Sequence, residues 1–314
     1  MRLSQKVEYV LGAATGLSDQ GTILFAKSSE VLNARFYEKD SNEDIRKSLK
    51  YIPFPEELSI VVVDSGTNHC LHEGVCRLKY ALPRIANSIG FHMLKEKLPT
   101  LKTISDIISL PCTEVVSLLQ QIPEIMSLKT IKSQYPLLCK ELLNSYNLSD
   151  LDKETNIHIR GPLLYCISEC ARALQFPEQL RLISDIGDDD DKEEYIKELG
   201  EFLNIGHKGD SNHSQKIRIS NDIPIWKIPG DFKASTPELD QIQSQLMSLD
   251  AYGACLTGAG YGGCVIGLFV NTINVSEISK TLAREYFTKN KISDPSKRVF
   301  TVFPISGASF ITFK

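Results

Sequence analysis

Apolar positions along this chain change their period several times, and each period predicts an element. Residues 58–64, LSIVVVD, place β-branched side chains on both faces of an extended run, the pattern of a strand inside a sheet. Residues 264–270, CVIGLFV, form a second run of that kind. Residues 237–250 switch to helical spacing, with Leu239, Ile242, Leu246 and Leu249 on one face. Thr236 can cap that helix, Pro237 takes the first helical position and Glu238 stands in the first turn. Helical periodicity also covers 3–11, ended by Gly12, and then 74–89, 103–110, 113–121, 135–146, 162–175, 194–205 and 275–289. Tyr195, Leu199, Phe202 and Leu203 point the 194–205 helix inward, and Pro83 is expected to interrupt or kink the 74–89 helix. Short strands are expected at 22–26, 299–304 and 308–313, the last two split by Ser306 and Gly307. Residues 35–50 read as charged and exposed, 65–72 as a loop, and 206–229 as irregular with Trp226 as its anchor. From 237 onward the order is helix, strand, helix, strand, strand, which suits an antiparallel sheet packed against helices, an α+β layer.

Composition narrows the class. The 314 residues are 42% hydrophobic, enough for one large domain or two lobes. A formal net charge of -4 gives no basic character that would point to nucleic acid. No apolar run approaches the length of a membrane span, and the first residues, with Gln5 and Glu8 among the apolar ones, lack a signal-peptide core. Eight cysteines are scattered without a framework spacing, which reads as a reduced, cytoplasmic chain. No internal repeat or low-complexity tract appears.

The densest chemical signal is the loop between the last two features. Gly258, Ala259, Gly260, Tyr261, Gly262 and Gly263 hold four glycines in six positions. Such a stretch reaches positive φ at little cost, and its successive N–H groups can form a nest for phosphate or another anion. The same stretch also serves as a plain turn into the core strand that follows. It is not a P-loop, because no Gly-Lys-Ser/Thr follows, and it precedes a strand instead of opening a helix as the dinucleotide fingerprint does. Asp19 stands in a turn of small residues, 13–20, where an aspartate serves as a turn former or as a reactive carboxylate. Residues 69–76, HCLHEGVC, have metal-ligand types, but no second cluster at zinc spacing accompanies them. The acidic run 187–194 reads as a solvated loop feeding a helix N-terminus. His207 falls at an expected helix end, where it can act as a cap.

Two separated stretches coincide with one family. QKVEYVLGAATGLSDQ, residues 5–20, resembles the galactokinase pattern of a helix bearing Glu, then spaced glycines and Asp-Gln. LTGAGYGGCVIGLF, residues 256–269, resembles the third signature of the GHMP kinases, the superfamily of galactokinase, homoserine, mevalonate and phosphomevalonate kinases. Between them, SIVVVDSGTNHCLHEGVCRLKYA, ISECAR, LGEFLNIGHKGD and DFKASTPELDQI are similar to further galactokinase segments in the same order. The resemblance implies a two-lobed GHMP kinase-like fold, with residues 1–95 as part of the N-terminal lobe. Residues 96–314 would be a C-terminal lobe with a ferredoxin-like antiparallel sheet and helices.

It further implies ATP-dependent phosphorylation of a sugar at the anomeric hydroxyl, with ATP and Mg2+ as cofactors and no nucleic acid or membrane partner. Asp19 would face the hydroxyl, Gly16 would lie beside the sugar, and the 258–263 loop would border the transferred phosphate. The family's first two signatures, including the loop that cradles ATP phosphates, have no match here, which implies a chain shortened at its start. Losing upstream strands would leave a sheet edge open near 58–64. Gly74 stands where the family carries a tyrosine against the sugar. Those departures support a second reading, a non-catalytic sugar- or nucleotide-binding or regulatory protein of the same fold.

Overall fold

The computed structural model describes residues 17–34, 49–68, 74–186, 190–211 and 218–308, with the backbone alone at 74, 75, 190 and 191. In chain order come helix α1 (Ser18–Phe25), strands β1 (Glu30–Asn33), β2 (Lys50–Pro53) and β3 (Leu58–Asp64), and helices α2 (Gly74–Lys97), α3 (Ile104–Ile108) and α4 (Cys112–Gln120). Then follow β4 (Ile125–Ser127), α5 (Leu128–Gln134), α6 (Pro136–Ser145), β5 (Asn156–His158), α7 (Arg160–Asp185) and α8 (Asp190–Asp210). The last part holds α9 (Pro237–Ser248), β6 (Gly253–Thr257), β7 (Cys264–Val270), α10 (Val275–Leu282) and β8 (Val299–Val302).

Strand β3 has the bounds its sequence predicts, and it lies inside a sheet of order β6-β7-β3-β8. All its pairings are antiparallel, with Val61 opposite Gly267 on one side and Thr301 on the other. The open edge expected near 58–64 is therefore not there: β7 and β8 satisfy β3 on both sides. Val61 and Val63 turn into a core with Leu239, Ile242, Leu246, Phe269, Tyr286 and Phe287. The capped helix expected at 237 forms as α9, with the Thr236 hydroxyl accepting from the Leu239 N–H. Strand β6 was not foreseen, so the glycine loop connects two paired strands; it does not lead from a helix into a strand. Thr257 pairs with Cys264 immediately outside it. Helix α10 closes with a wider π turn at Ala283–Phe287, which buries the consecutive Tyr286 and Phe287.

Helices α2 to α7 form a second core around Ile85, Ile89, Leu94, Leu163, Leu164 and Ile167, and α8 packs with the end of α7 in a third around Leu180, Leu199 and Phe202. Helix α2 runs through Pro83 without ending there, and α7 runs through Pro177. Both are long enough for tertiary packing to outweigh one missing hydrogen bond each. Helix α8 begins at Asp190, inside the acidic run, where negative charge suits the helix N-terminus. It continues to Asp210, past the expected end, and Trp226 sets its ring edge on Phe202 at 5.0 Å. The short strand expected at 22–26 is instead part of α1. Ile23 and Leu24 are 60% and 46% exposed, so no sheet buries them, and local bonds satisfy the backbone. Thr22 Oγ1 donates to the Ser18 carbonyl, and Gly307 and Ala308 donate to the terminal carbonyls of Ala26 and Ile23. The expected helix at 3–11 and most of the expected strand at 308–313 lie outside the described residues. No described helix is long and apolar enough to cross a membrane.

One contact fixes α8 against the sheet. A Cβ on Gly253 would stand 2.1 Å from the Gly200 carbonyl oxygen, and one on Gly200 would stand 2.2 Å from that of Tyr252. Both partners are backbone, so neither can move aside alone. Gly253→Ala is expected to lower stability by about 1–3 kcal/mol through overpacking, read as a lower midpoint in urea denaturation. An unchanged midpoint would show that helix and strand are not in contact there.

Candidate functional site

The glycine hairpin is the chain's most unusual backbone. Gly258, Gly260, Gly262 and Gly263 have φ of 82°, 75°, 128° and 82°, and Tyr261 between them has φ of 59°. The glycines do different work. A Cβ on Gly260 would meet the Ala234 carbonyl oxygen at 2.2 Å, and one on Gly262 would meet the Thr67 carbonyl oxygen at 2.9 Å. These two let the loop lie flat on its neighbours. Gly258 has nothing within 4 Å of its Cβ position, so its backbone can be approached from outside.

The loop is seated by backbone bonds. Tyr261 donates its N–H to Ala234 at 2.7 Å, Gly263 donates to Thr67 at 3.0 Å, and Ser65 donates to Gly263 at 2.9 Å. A left-handed tyrosine costs about 1–2 kcal/mol, which its side chain must offset. The Tyr261 hydroxyl donates to the Lys79 carbonyl at 2.7 Å, and its ring stands edge-on to Tyr80 at 6.3 Å. Lys79 lies four residues before Pro83 in α2. Proline has no N–H to give that carbonyl, so the proline position supplies an acceptor for the loop. Burial pushes the Tyr261 phenol well above its usual range and keeps it a donor.

Behind the loop, α8 presents two buried polar groups. His207 is 4% exposed and is not the simple terminal cap expected from its position. Its Nδ1 accepts from the Leu256 N–H at 3.2 Å, so a neutral ring carries its proton on Nε2, which faces Asp240 Oδ1 at 3.2 Å. The Leu256 bond ties β6 to α8 two residues before Gly258. Asp210 is 5% exposed and accepts from the Tyr165 hydroxyl at 2.8 Å. Burial raises its carboxyl to about 7, with Glu169 adding to the rise, while the Tyr165 bond, Arg172 and Arg84 oppose it. Tyr165 stacks on Phe232 at 4.8 Å, and Phe232 lies two residues before Ala234. Sequence reasoning assigned no role to Asp210. The signal was Gly209 beside it, where a Cβ would stand 2.1 Å from the Pro229 carbonyl oxygen.

Asp19 sits in the first turn of α1 with its side chain exposed to solvent. That helix is held by the 304–308 segment and by Tyr51, whose hydroxyl donates to the Phe25 carbonyl at 2.9 Å. The glycine hairpin has other neighbours, 65–67, 79–80 and 234. Gly16 lies outside the described residues, as do 69–73 of the HCLHEGVC stretch. Among the described residues no three metal-ligating side chains gather, and the seven described cysteines are free thiols. A cleft of about 260 Å3 opens between the β1–β2 hairpin and helices α7 and α8, lined neither by Asp19 nor by the glycine hairpin.

Comparison with known proteins agrees with this fold. Residues 211–289, which include the glycine hairpin, match the family model described as GHMP kinases C terminal. The galactokinase of Pyrococcus furiosus is 25% identical over 289 residues, covering 91% of this chain and 57% of that protein. The galactokinase of Dictyostelium discoideum is 22% identical over 334 residues, covering 99% and 62%. A solved Lactococcus lactis galactokinase, complexed with galactose, shares the fold with a TM-score of 0.50 at 16% identity, over 97% of this chain and 57% of that one. The chain thus spans about three-fifths of the length of the galactokinases it matches.

Two predictions concern the seat of the loop. Tyr261→Phe should cost about 0.5–1.5 kcal/mol, the net worth of one hydrogen bond. In a Pro83→Ala background, where position 83 again offers its N–H to the Lys79 carbonyl, the same change should cost less than half as much. Equal costs in both backgrounds, by chemical denaturation, would break the proposed link. Asp210, raised to about 7 in the fold, binds a proton there that an unfolded aspartate gives up near 3.9. The folded state holds more protons between those values, so stability should fall as pH rises from about 4 to 7 and then level. Asp210→Asn, which still accepts from Tyr165, should flatten that fall by on the order of 2–4 kcal/mol. A variant with the wild-type pH profile would contradict the assignment.

Proposed function

We propose that this galactokinase-like chain of the GHMP kinase fold serves ATP-dependent phosphorylation of a sugar at its anomeric hydroxyl, with galactose the first candidate. The observation that carries this is the glycine hairpin inside the region matched to the GHMP kinase C-terminal model. Its support is the alignment with galactokinases over nearly the whole of this chain.

Bound ATP would supply the transferred phosphoryl group, with Mg2+ spreading the phosphate charge. The open side of Gly258 fits the approach of a phosphate, since no atom would meet even an added Cβ there. Ala259, Gly260, Tyr261, Gly262 and Gly263 would set the shape of that border. Mg2+ bound with nucleotide needs only one or two carboxylates besides the phosphates. Asp19 would accept the sugar's hydroxyl proton, or orient that hydroxyl, as phosphate transfers, and Gly16 would lie beside the sugar. The convergence of Asp19 and the hairpin on one bound sugar is part of the proposal. A second reading, a binding or regulatory protein without turnover, is favoured by Gly74 at the place of the sugar-packing tyrosine.

The chain, incubated with galactose, ATP and Mg2+, should form sugar phosphate, and Asp19→Asn should slow it by roughly 10²–10⁴-fold. Near-wild-type turnover by that variant would reject the role of Asp19. Heat on calorimetric titration with galactose, but no product, would assign the binding reading. Neither product nor heat would reject both.

A further inference from the structure

The cleft between the β1–β2 hairpin and helices α7 and α8 has an apolar floor and a polar mouth. Val31, Phe176 and Leu203 line it with partly buried side chains, backed by the buried Ile52, Leu180 and Phe202. At the mouth, Glu169 binds Arg172 through one carboxylate oxygen, Oε1, with 40% of its side chain exposed. The other oxygen, Oε2, remains an acceptor. Arg172 is 3% exposed and is held by the Trp226 carbonyl at 2.6 Å and the Ile228 carbonyl at 3.4 Å. The carboxylate is therefore fixed in place, and its charge is matched by the guanidinium. A second acceptor stands one residue past Arg172. Pro177 lies four residues after Ala173 in α7 and offers no N–H to its carbonyl. Both Ala173 and Pro177 line the cleft.

Two acceptors above an apolar floor select a donor with an apolar body. An anion would face the Glu169 carboxylate, and the Arg172 guanidinium behind that carboxylate offsets the attraction it would otherwise have for a cation. We propose that this cleft is a binding site for small neutral alcohols with an alicyclic or branched body. The body would lie on Val31, Phe176 and Leu203, and the hydroxyl would donate to Glu169 Oε2 or to the Ala173 carbonyl at the mouth. The size of the cleft, about 260 Å3, lies just under the usual range for ligand clefts. This site is separate from the glycine hairpin, and its test does not depend on sugar phosphorylation.

The chain has a single tryptophan, Trp226, whose ring touches Phe202 behind the cleft lining, so its fluorescence reports occupancy. Titration with cyclohexylmethanol should give a saturable change with a Kd on the order of 1 mM, the scale such a small ligand allows. Its methyl ether, which keeps the body but cannot donate, should bind at least threefold more weakly. Ala173→Phe, an exposed helical position that tolerates the change, should fill the mouth and weaken the alcohol at least tenfold while leaving the urea midpoint unchanged. No saturation by the alcohol, equal binding of the ether, or equal binding by Ala173→Phe would each overturn the proposal.

Discussion

A proline in the middle of α2 decides how the glycine hairpin is held. The hairpin carries five positions at positive φ, one of them a tyrosine, and such a backbone has no regular ladder of its own. It keeps one shape only if its surroundings supply bonds that regular structure would have supplied. Pro83 makes one available by leaving the Lys79 carbonyl without its helical donor, and the Tyr261 hydroxyl takes it at 2.7 Å. The polar group that a helix would have to leave unmet becomes the anchor for a loop nearly two hundred positions away. The other backbone anchors, the Ala234 and Thr67 carbonyls and the Ser65 N–H, are main-chain groups as well. The seat of the loop is therefore set by main-chain positions, and few side chains are needed to specify it.

Close backbone approach does the rest. Gly200 against Gly253, and Gly209 against Pro229, bring α8 within contact of two segments that lead to the hairpin. Any larger residue would push the helix away by more than an ångström. At that distance His207 would lose the Leu256 N–H, and Asp210 would lose its place under Tyr165. Glycines in a helix ordinarily weaken it by about 1 kcal/mol each. Here they are what allow two buried polar contacts to form, each worth a comparable amount.

Much of this was legible in the sequence, for physical reasons. Strand β3 and helix α9 were readable with nearly their true bounds because burial on known faces imposes a strict period. Thr236, Pro237 and Glu238 mark a helix start by local chemistry alone. The glycine cluster marked positive φ. Strand β6 was hidden because GACLT has two small residues and no alternation, its form coming from pairing with β7. Residues 22–26 were misread because β-branched Thr22 and Ile23 favour a strand only where a sheet receives them. Pro83 and Pro177 were visible, but not what their missing N–H groups would do, since the partner of a freed carbonyl is a tertiary fact. The meeting of His207, Asp240 and Leu256 is of the same kind: three separate positions with no shared local signal.

Asp210 and Asp19 differ in burial and in partners. A carboxyl near 7 in a buried site is the profile often found in acid–base catalysis. Asp210 has it, but its Oδ2 is engaged by Tyr165, it is 5% exposed, and its backbone carbonyl accepts from Ser235 in the segment beneath the hairpin. A sugar hydroxyl could reach it only by displacing Tyr165 and opening α8 from its neighbours. Its shifted proton belongs to the packing of α8 and is no evidence for a role in turnover. Asp19 is the reverse case, exposed at the start of a short helix and reachable by a substrate without rearrangement. Accessibility, more than perturbation, is what makes it the better candidate to meet a hydroxyl, and the buried aspartate is better understood as part of the frame that keeps the hairpin in its seat.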